Sequence, residues 1–388
     1  MRVHDITSEP TADGWRLSAA IGDSALAGRG ERLHFTVHGA SAPWSVARGD
    51  AFLAATLMPA MALGEELVVD GPVSPRLRRT ARTVMDICCA WWGDRHGPVV
   101  LRCSTAAPAA GAPGAGVGLY VTCGVDSLYS LLKDVELSRD PAHEPVTHLL
   151  YANFERHEGP AYERLLRRLR RVAGETFRPL VLVDTNVRSL TEETVFWPDY
   201  HGAALASVAL ALQELLGRCL VASSATYVGS LRWGSSPVLD HLWPTEGLEM
   251  VHDGAEASRT EKVMRHVATS PLALQTLSVC WRSDPAHNCG ACEKCLRTMV
   301  ALELAGCLDR CATLPHALDL DALRDVELSG EGQLNQMRAI RVDAARLGRP
   351  EIAAAIDAVV HRYADAVWWR PQRAAAATRS SSADVAAS

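Results

Sequence analysis

Between Gly118 and Ser223 the chain alternates two hydrophobic patterns. Leu119–Val121, Val146–Ala152, Leu180–Asp184 and Leu220–Ser223 are short runs, mostly apolar and of a length that suits strands. Between them lie segments with helical character: Leu128, Leu131 and Leu132 at helical spacing, a basic stretch from Tyr162 to Val172, and an apolar stretch from Ala203 to Leu216. Strands that are apolar on both sides, each followed by a helix, predict an α/β fold whose parallel sheet is covered on both faces. Ligands of such sheets bind where the carboxyl ends of the strands emerge, here at Thr122, Asn153, Asp184 and Ser223 or Ser224.

The first hundred residues predict a smaller α/β domain spanning 1–104. Leu33, Phe35 and Val37 alternate with polar residues as a strand does, and Leu67–Val69 is a β run ended by the turn signal Asp70-Gly71-Pro72. Pro98–Cys103 is a third strand. Asp50 is placed to cap a helix that Pro59 kinks or ends, and Ser74 to cap a second helix with Pro75 at its first position. This domain carries no recognisable chemistry, which suits a packing or substrate-shaping role. Thr105–Gly116 is made of small residues with Pro and Gly, has no hydrophobic face, and is expected to be a linker over 105–116. The second domain then covers 117–310. Helices are expected over Leu296–Leu304 and Gln333–Ala366, within a C-terminal helical extension of 311–370 that ends near Trp368-Trp369. Residues 371–388 have too little apolar content to order.

Composition narrows the class. With 388 residues, 48% of them hydrophobic, and a net charge of -6, the chain suits a soluble globular protein of two domains rather than a broad nucleic-acid binder. No apolar run reaches about 18 residues and the N-terminus lacks the apolar core of a signal peptide, so a cytoplasmic location is expected and a membrane partner is not. Of the eleven cysteines, Cys280, Cys289, Cys292 and Cys295 crowd into one segment as C-x8-C-x2-C-x2-C. Four thiolates on one loop can close a tetrahedral site, which suits structural Zn²⁺. Iron-sulfur ligation uses the same residues, and His287 is an alternative ligand. The spacers Gly290-Ala291 and Glu293-Lys294 have the length of zinc knuckles and favour zinc.

The other chemical feature is Thr122–Ser127, T-C-G-V-D-S, a turn between an apolar strand and a helix. A turn of this kind offers free backbone N–H groups and the positive end of the helix dipole to an anion, which makes it a phosphate site. It lacks the Gly-Lys-Ser/Thr ending of a Walker loop and the further glycines of a dinucleotide fingerprint.

T-C-G-V-D-S-L resembles the S-G-G-x-D-S signature of the PP-loop ATP pyrophosphatases of the adenine nucleotide alpha hydrolase superfamily. With the four cysteines downstream, the chain is most similar, over roughly Val117–Leu304, to the 7-cyano-7-deazaguanine synthase family. The resemblance implies a HUP-like sheet, ATP, Mg²⁺ and Zn²⁺ as cofactors, and cleavage of ATP to AMP and pyrophosphate. The adenylated group would be a carboxylate or amide oxygen of a small molecule, attacked next by ammonia or an amine. It implies that Thr122, Cys123, Gly124, Val125, Asp126 and Ser127 cradle the nucleotide, and that Asp126, Ser127 and Lys262 serve catalysis. In these roles Thr122 and Ser127 donate to phosphate oxygens, Asp126 shapes the turn or holds Mg²⁺ through water, and Lys262 reaches a phosphate. The Glu261 beside it is a weaker candidate.

The chain departs from that family at Cys123, which stands where Gly lets backbone approach phosphate, and at Asn153-Phe154-Glu155-Arg156-His157, which keeps only the Arg-His pair. Ser223–Asp240 does not look like a deazapurine pocket, so a different acceptor is expected. His201 either faces the nucleotide or caps its helix, Asp184 and Asn186 either contact the nucleoside or form a turn, and Arg232, Trp233 and His241 offer charge and stacking near the pocket. Five arginines between Arg164 and Arg171 form a solvated face or a tRNA surface. The alternative functions are a tRNA-modifying thiolase or ligase of the same superfamily and a non-catalytic nucleotide sensor. ATP and a small-molecule acceptor are the expected partners, nucleic acid is less favoured, and a homodimer is allowed.

Overall fold

A computed structural model of the chain describes residues 1–29, 32–39, 47–106, 116–229, 232–282 and 287–365. Most of the expected linker, Trp368-Trp369 and the 371–388 tail lie outside the described residues. The chain divides into two compact units, Met1–Ala257 and a second that begins at Ser258.

The first unit is built on one ten-stranded sheet. Its strands are β1 (Arg2–Thr11), β2 (Gly14–Gly22), β3 (Leu33–His38), β4 (Leu67–Val73), β5 (Leu101–Thr105), β6 (Gly116–Tyr120), β7 (His148–Asn153), β8 (Leu180–Thr185), β9 (Leu216–Ala222) and β10 (Glu249–Asp253). They lie in the order β10-β9-β6-β7-β8-β3-β2-β1-β4-β5. The five strands from β6 onward are mutually parallel and helices connect successive members from β6 to β9, so the expected α/β class with a largely parallel sheet is present. Within this half the order is that of a doubly wound sheet, third-second-first-fourth-fifth, with β6 first. The order reverses between β6 and β9. Strand β6 is buried at all five positions, as a central strand covered on both faces should be.

The boundary expected at residue 104 is not a break in the sheet. Strand β3 pairs antiparallel with β8, Phe35 opposite Thr185 and Val37 opposite Val183, so the N-terminal strands extend the same sheet. The β1–β2 hairpin escaped the sequence pattern because its burial is irregular along β1. Its turn needs Gly14, where a Cβ would lie 2.0 Å from the Val37 carbonyl oxygen. Asp70-Gly71-Pro72 is not a turn. The strand runs through it to Val73, and the shift in the β4–β5 register between Val69 and Val73 absorbs the irregular residues as a bulge.

Two helices that are apolar nearly all round pack together on one face of the sheet: Asp50–Leu63 and Trp197–Ala211. The first continues through Pro59 and ends at Gly64, φ 66°. Asp50 is its first residue rather than its cap, and its buried carboxylate accepts from Arg48 Nε at 2.7 Å and Ser74 N at 2.6 Å. Tyr200 Oη donates to Ala55 O at 2.6 Å, tying the two helices. The second helix begins six residues before the expected Ala203 and ends at Ala211, leaving Leu216 to open β9; a continuous apolar run does not reveal where helix gives way to strand. Ser74 Oγ accepts from Leu77 N at 3.1 Å and caps the Pro75–Trp92 helix as expected.

The second unit is helical in its described part, with helices Arg259–Lys262, Pro271–Thr276, Glu293–Leu304, Leu320–Asp325 and Glu331–Arg346 and a further one over 350–365. Among the described residues no helix is long and apolar enough to cross a membrane.

Candidate functional site

Strand β6 ends at Tyr120 and the helix Val125–Leu137 begins five residues later, so Thr122–Ser127 forms a turn at the carboxyl edge of the sheet, where the strand order reverses. Gly124 is the N-cap, and Asp126 lies in the first helical turn, where its charge suits the dipole. The first N–H groups of the helix have no partner in its own ladder and are directed out of its N-terminal end. Thr122 is exposed and Gly124 and Asp126 are half-buried, whereas Ser127 is buried. The Ser127 hydroxyl turns inward. It donates to Gly124 O at 3.2 Å and accepts from Thr122 N at 3.3 Å, so it staples the turn from within.

Cys123 takes a left-handed backbone, φ 57°, a conformation that favours glycine. Its side chain is fully buried, within electrostatic reach of Tyr151 on β7 and Arg168 on the Gly159–Glu175 helix. Burial pushes its thiol up to about 12, so it is protonated at neutral pH and packed rather than poised as a nucleophile.

At the ends of β7 and β8 a chain of polar groups crosses the sheet. Asn153 Nδ2 donates to Asp184 Oδ1 at 2.9 Å, Asp184 Oδ2 meets His38 Nε2 at 2.7 Å, and His38 Nδ1 meets Asp13 Oδ2 at 3.0 Å. The hydrogen bond to Asp184 outweighs burial, and with Asp13 raises the imidazole to about 9, so His38 is cationic at neutral pH. Burial would raise Asp184, but its hydrogen bonds from His38 and Asn153 hold it below the usual carboxylate range. His38 gave no signal in the sequence, because it arrives from β3, 146 residues away from Asp184. Asn186 is a structural turn residue. Its side chain accepts from His34 N at 3.0 Å and donates to Arg32 O at 2.9 Å.

Arg164, Arg167, Arg170 and Arg171 are exposed on one helix, while Arg168 is half-buried. Arg171 pairs with Glu175 at 2.7 Å, which offsets part of the local charge.

In the second unit, Ser258 and Glu261 form a reciprocal capping box, which accounts for Glu261. Lys262, at the end of that short helix, is buried rather than solvated.

The four sulfurs of Cys280, Cys289, Cys292 and Cys295 all lie within 4.8 Å of one another. Two of the separations, Cys280 to Cys292 and Cys289 to Cys295, are 3.9 Å. Sulfurs around a tetrahedral zinc with bonds of about 2.3 Å stand about 3.8 Å apart, so the donor set and its dimensions fit Zn²⁺ with no position left open. The knuckle is built locally. Cys292 N donates to Cys289 Sγ at 3.3 Å, and Gly290 turns the chain at φ 70° where a Cβ would lie 2.6 Å from Pro315 Cγ. Asn288 Oδ1 accepts from Val279 N at 2.8 Å and Cys280 N at 3.1 Å, fixing the first ligand against the other three. The thiols compete for protons: a hydrogen bond from Cys295 draws Cys292 down to about 4, and Cys295 is pushed up in turn.

No protein family, curated protein or solved structure shows a significant match to this chain.

Proposed function

We propose that the chain is an ATP-dependent adenylating enzyme of the PP-loop ATP pyrophosphatase kind, with a HUP-like sheet, which forms AMP and pyrophosphate while activating a carboxylate or amide oxygen of a small molecule for attack by ammonia or an amine. The observation that carries this reading is the T-C-G-V-D-S turn at the carboxyl end of the central strand, where the sheet order reverses. In this role the backbone N–H groups of Cys123 to Ser127 and the Thr122 hydroxyl hold phosphate oxygens, and Asp126 holds Mg²⁺ through water. Ser127 keeps the turn in shape, since its hydroxyl is already engaged there. The Cys₄ site takes a structural Zn²⁺, and a cytoplasmic setting suits eleven unpaired cysteines.

A panel of aromatic and aliphatic carboxylates, each incubated with ATP, Mg²⁺ and ammonium chloride, tests the reading by release of AMP and pyrophosphate. ATP binding without AMP from any acceptor would instead identify a nucleotide sensor. The exposed arginines of the Gly159–Glu175 helix favour, as a second reading, a tRNA-modifying enzyme of the same superfamily; retention of bulk tRNA that falls steeply with salt would support it.

A further inference from the structure

The segment that follows β9 folds back onto the start of the Trp197–Ala211 helix with backbone against backbone. Gly234 N donates to Pro198 O at 2.8 Å. A Cβ on Gly202 would lie 2.0 Å from the Gly234 carbonyl oxygen, and one on Gly234 would lie 2.3 Å from the Asp199 carbonyl oxygen. Only two glycines permit so close a contact, and it fixes the residues that follow. Among these is Asp240, almost wholly buried, whose Oδ2 accepts from Ser235 Oγ at 2.8 Å and lies 2.8 Å from Nδ1 of His252 on β10.

A carboxylate at Nδ1 holds the proton on that nitrogen and leaves the Nε2 lone pair available. Nε2 of His252 has no hydrogen-bond partner among the described residues. The imidazole of His201 stands nearby, edge-on to Trp233 at 5.6 Å, with its Nδ1 3.2 Å from Pro198 O. Burial pushes His201 below its ordinary value, and a positive charge on His252 would push it the same way. The Ser236 hydroxyl, 2% exposed, also has no partner. A hydroxyl buried without a partner costs free energy unless something else engages it. This group lies toward the carboxyl edge of β9 and β10, on the side of the sheet reversal away from β7.

We propose that His252, oriented by Asp240 and Ser235, is the general base for the nitrogen nucleophile. The step rests on the adenylation reading above. The amine nitrogen forms a C–N bond to the acyl carbon of the adenylate, the bond from that carbon to the phosphate-linked oxygen breaks with its electron pair leaving on AMP, and the ammonium proton passes to His252 Nε2.

The test uses the full chain with Mg²⁺–ATP, the first carboxylate of the panel to release AMP, and either ammonium chloride or hydroxylamine. Hydroxylamine is already unprotonated at neutral pH and needs no base. His252→Gln is expected to lower ammonium-supported AMP release by about 100-fold or more and to leave hydroxylamine-supported release within about threefold, the range of a lost general base. Asp240→Asn keeps the side-chain volume, presents the wrong partner to Nδ1, and is expected to shift the same ratio by about tenfold or more; it decides the matter should the first variant fold poorly. Equal losses with both nucleophiles, or no loss with either, would overturn the assignment of the base while leaving adenylation intact. A wild-type protein that forms no AMP with any acceptor would overturn the adenylation reading and the base with it.

Discussion

Cys123 is held where glycine would be at ease, and its thiol is turned away from water. A left-handed backbone costs an L-residue about 1–2 kcal/mol. Glycine would recover that, lose about 0.8 kcal/mol of side-chain burial, and add about 0.5–1 kcal/mol of unfolded-state entropy. The terms nearly cancel, so Cys123→Gly is expected to change stability by no more than about 1 kcal/mol in a denaturant titration. It should leave ATP-dependent AMP release within a few-fold of the wild type; loss of turnover in the glycine variant would reverse this account and give the thiol a chemical role. The same side chain sets a pH dependence. Because burial raises the thiol from 9.0 to about 12, the folded state keeps a proton that the unfolded state gives up. Its stabilising contribution is therefore full below about pH 9 and declines as pH rises toward 12. The glycine variant should show a shallower loss of stability across that alkaline window.

At the scale of elements, the cysteine knuckle is the best-specified piece of the molecule, because each part of it is local in sequence. The C-x2-C-x2-C spacing sets Cys292 as the cap of the Glu293–Leu304 helix and Cys295 in its first turn, while Cys280 is brought in by Asn288. Asn288 accepts from the backbone N–H of Val279 and Cys280 and donates to Leu277 O and Thr313 O, and so holds the chain at both ends of the eight-residue gap between Cys280 and Cys289. Asn288→Ala is expected to weaken zinc by about 10–100-fold, the usual effect of losing a residue that supports a ligand. Competition with a chromophoric chelator checks this, starting from wild-type protein with about one zinc per chain. Unchanged affinity would mean that the ligands alone set the site. The Thr122–Ser127 turn was equally legible, as strand, turn and helix follow one another without a break from Gly116 to Leu137. His38–Asp184 and Asp240–His252 were not. Each pair joins elements far apart along the chain or across an irregular loop, and periodicity carries no information about such meetings.

For the whole molecule, the parallel half could be read from its alternation of apolar strands and helices, but its extension into the first hundred residues could not. A strand edge is sequence-blind: nothing in L-H-F-T-V-H says whether β3 closes its own small sheet or pairs with β8. The apolar helices carried the clue. Asp50–Leu63 and Trp197–Ala211 have almost no polar face, so each needs cover on several sides, and they supply it to each other. It follows that the N-terminal segment completes the sheet's core rather than decorating it. A chain lacking residues 1–104 would expose the β8 edge, including the groups that pair with Phe35 and Val37, and would uncover the side of Trp197–Ala211 now packed against Ala55 and its neighbours. An unpaired edge beside a bare apolar helix favours aggregation. The truncated protein is therefore expected to be insoluble, or to melt without a cooperative transition by circular dichroism. A soluble, monomeric truncation with a sharp melt would show that the five parallel strands and their helices suffice as a folding unit, and that the continuous sheet is a junction between two independent parts.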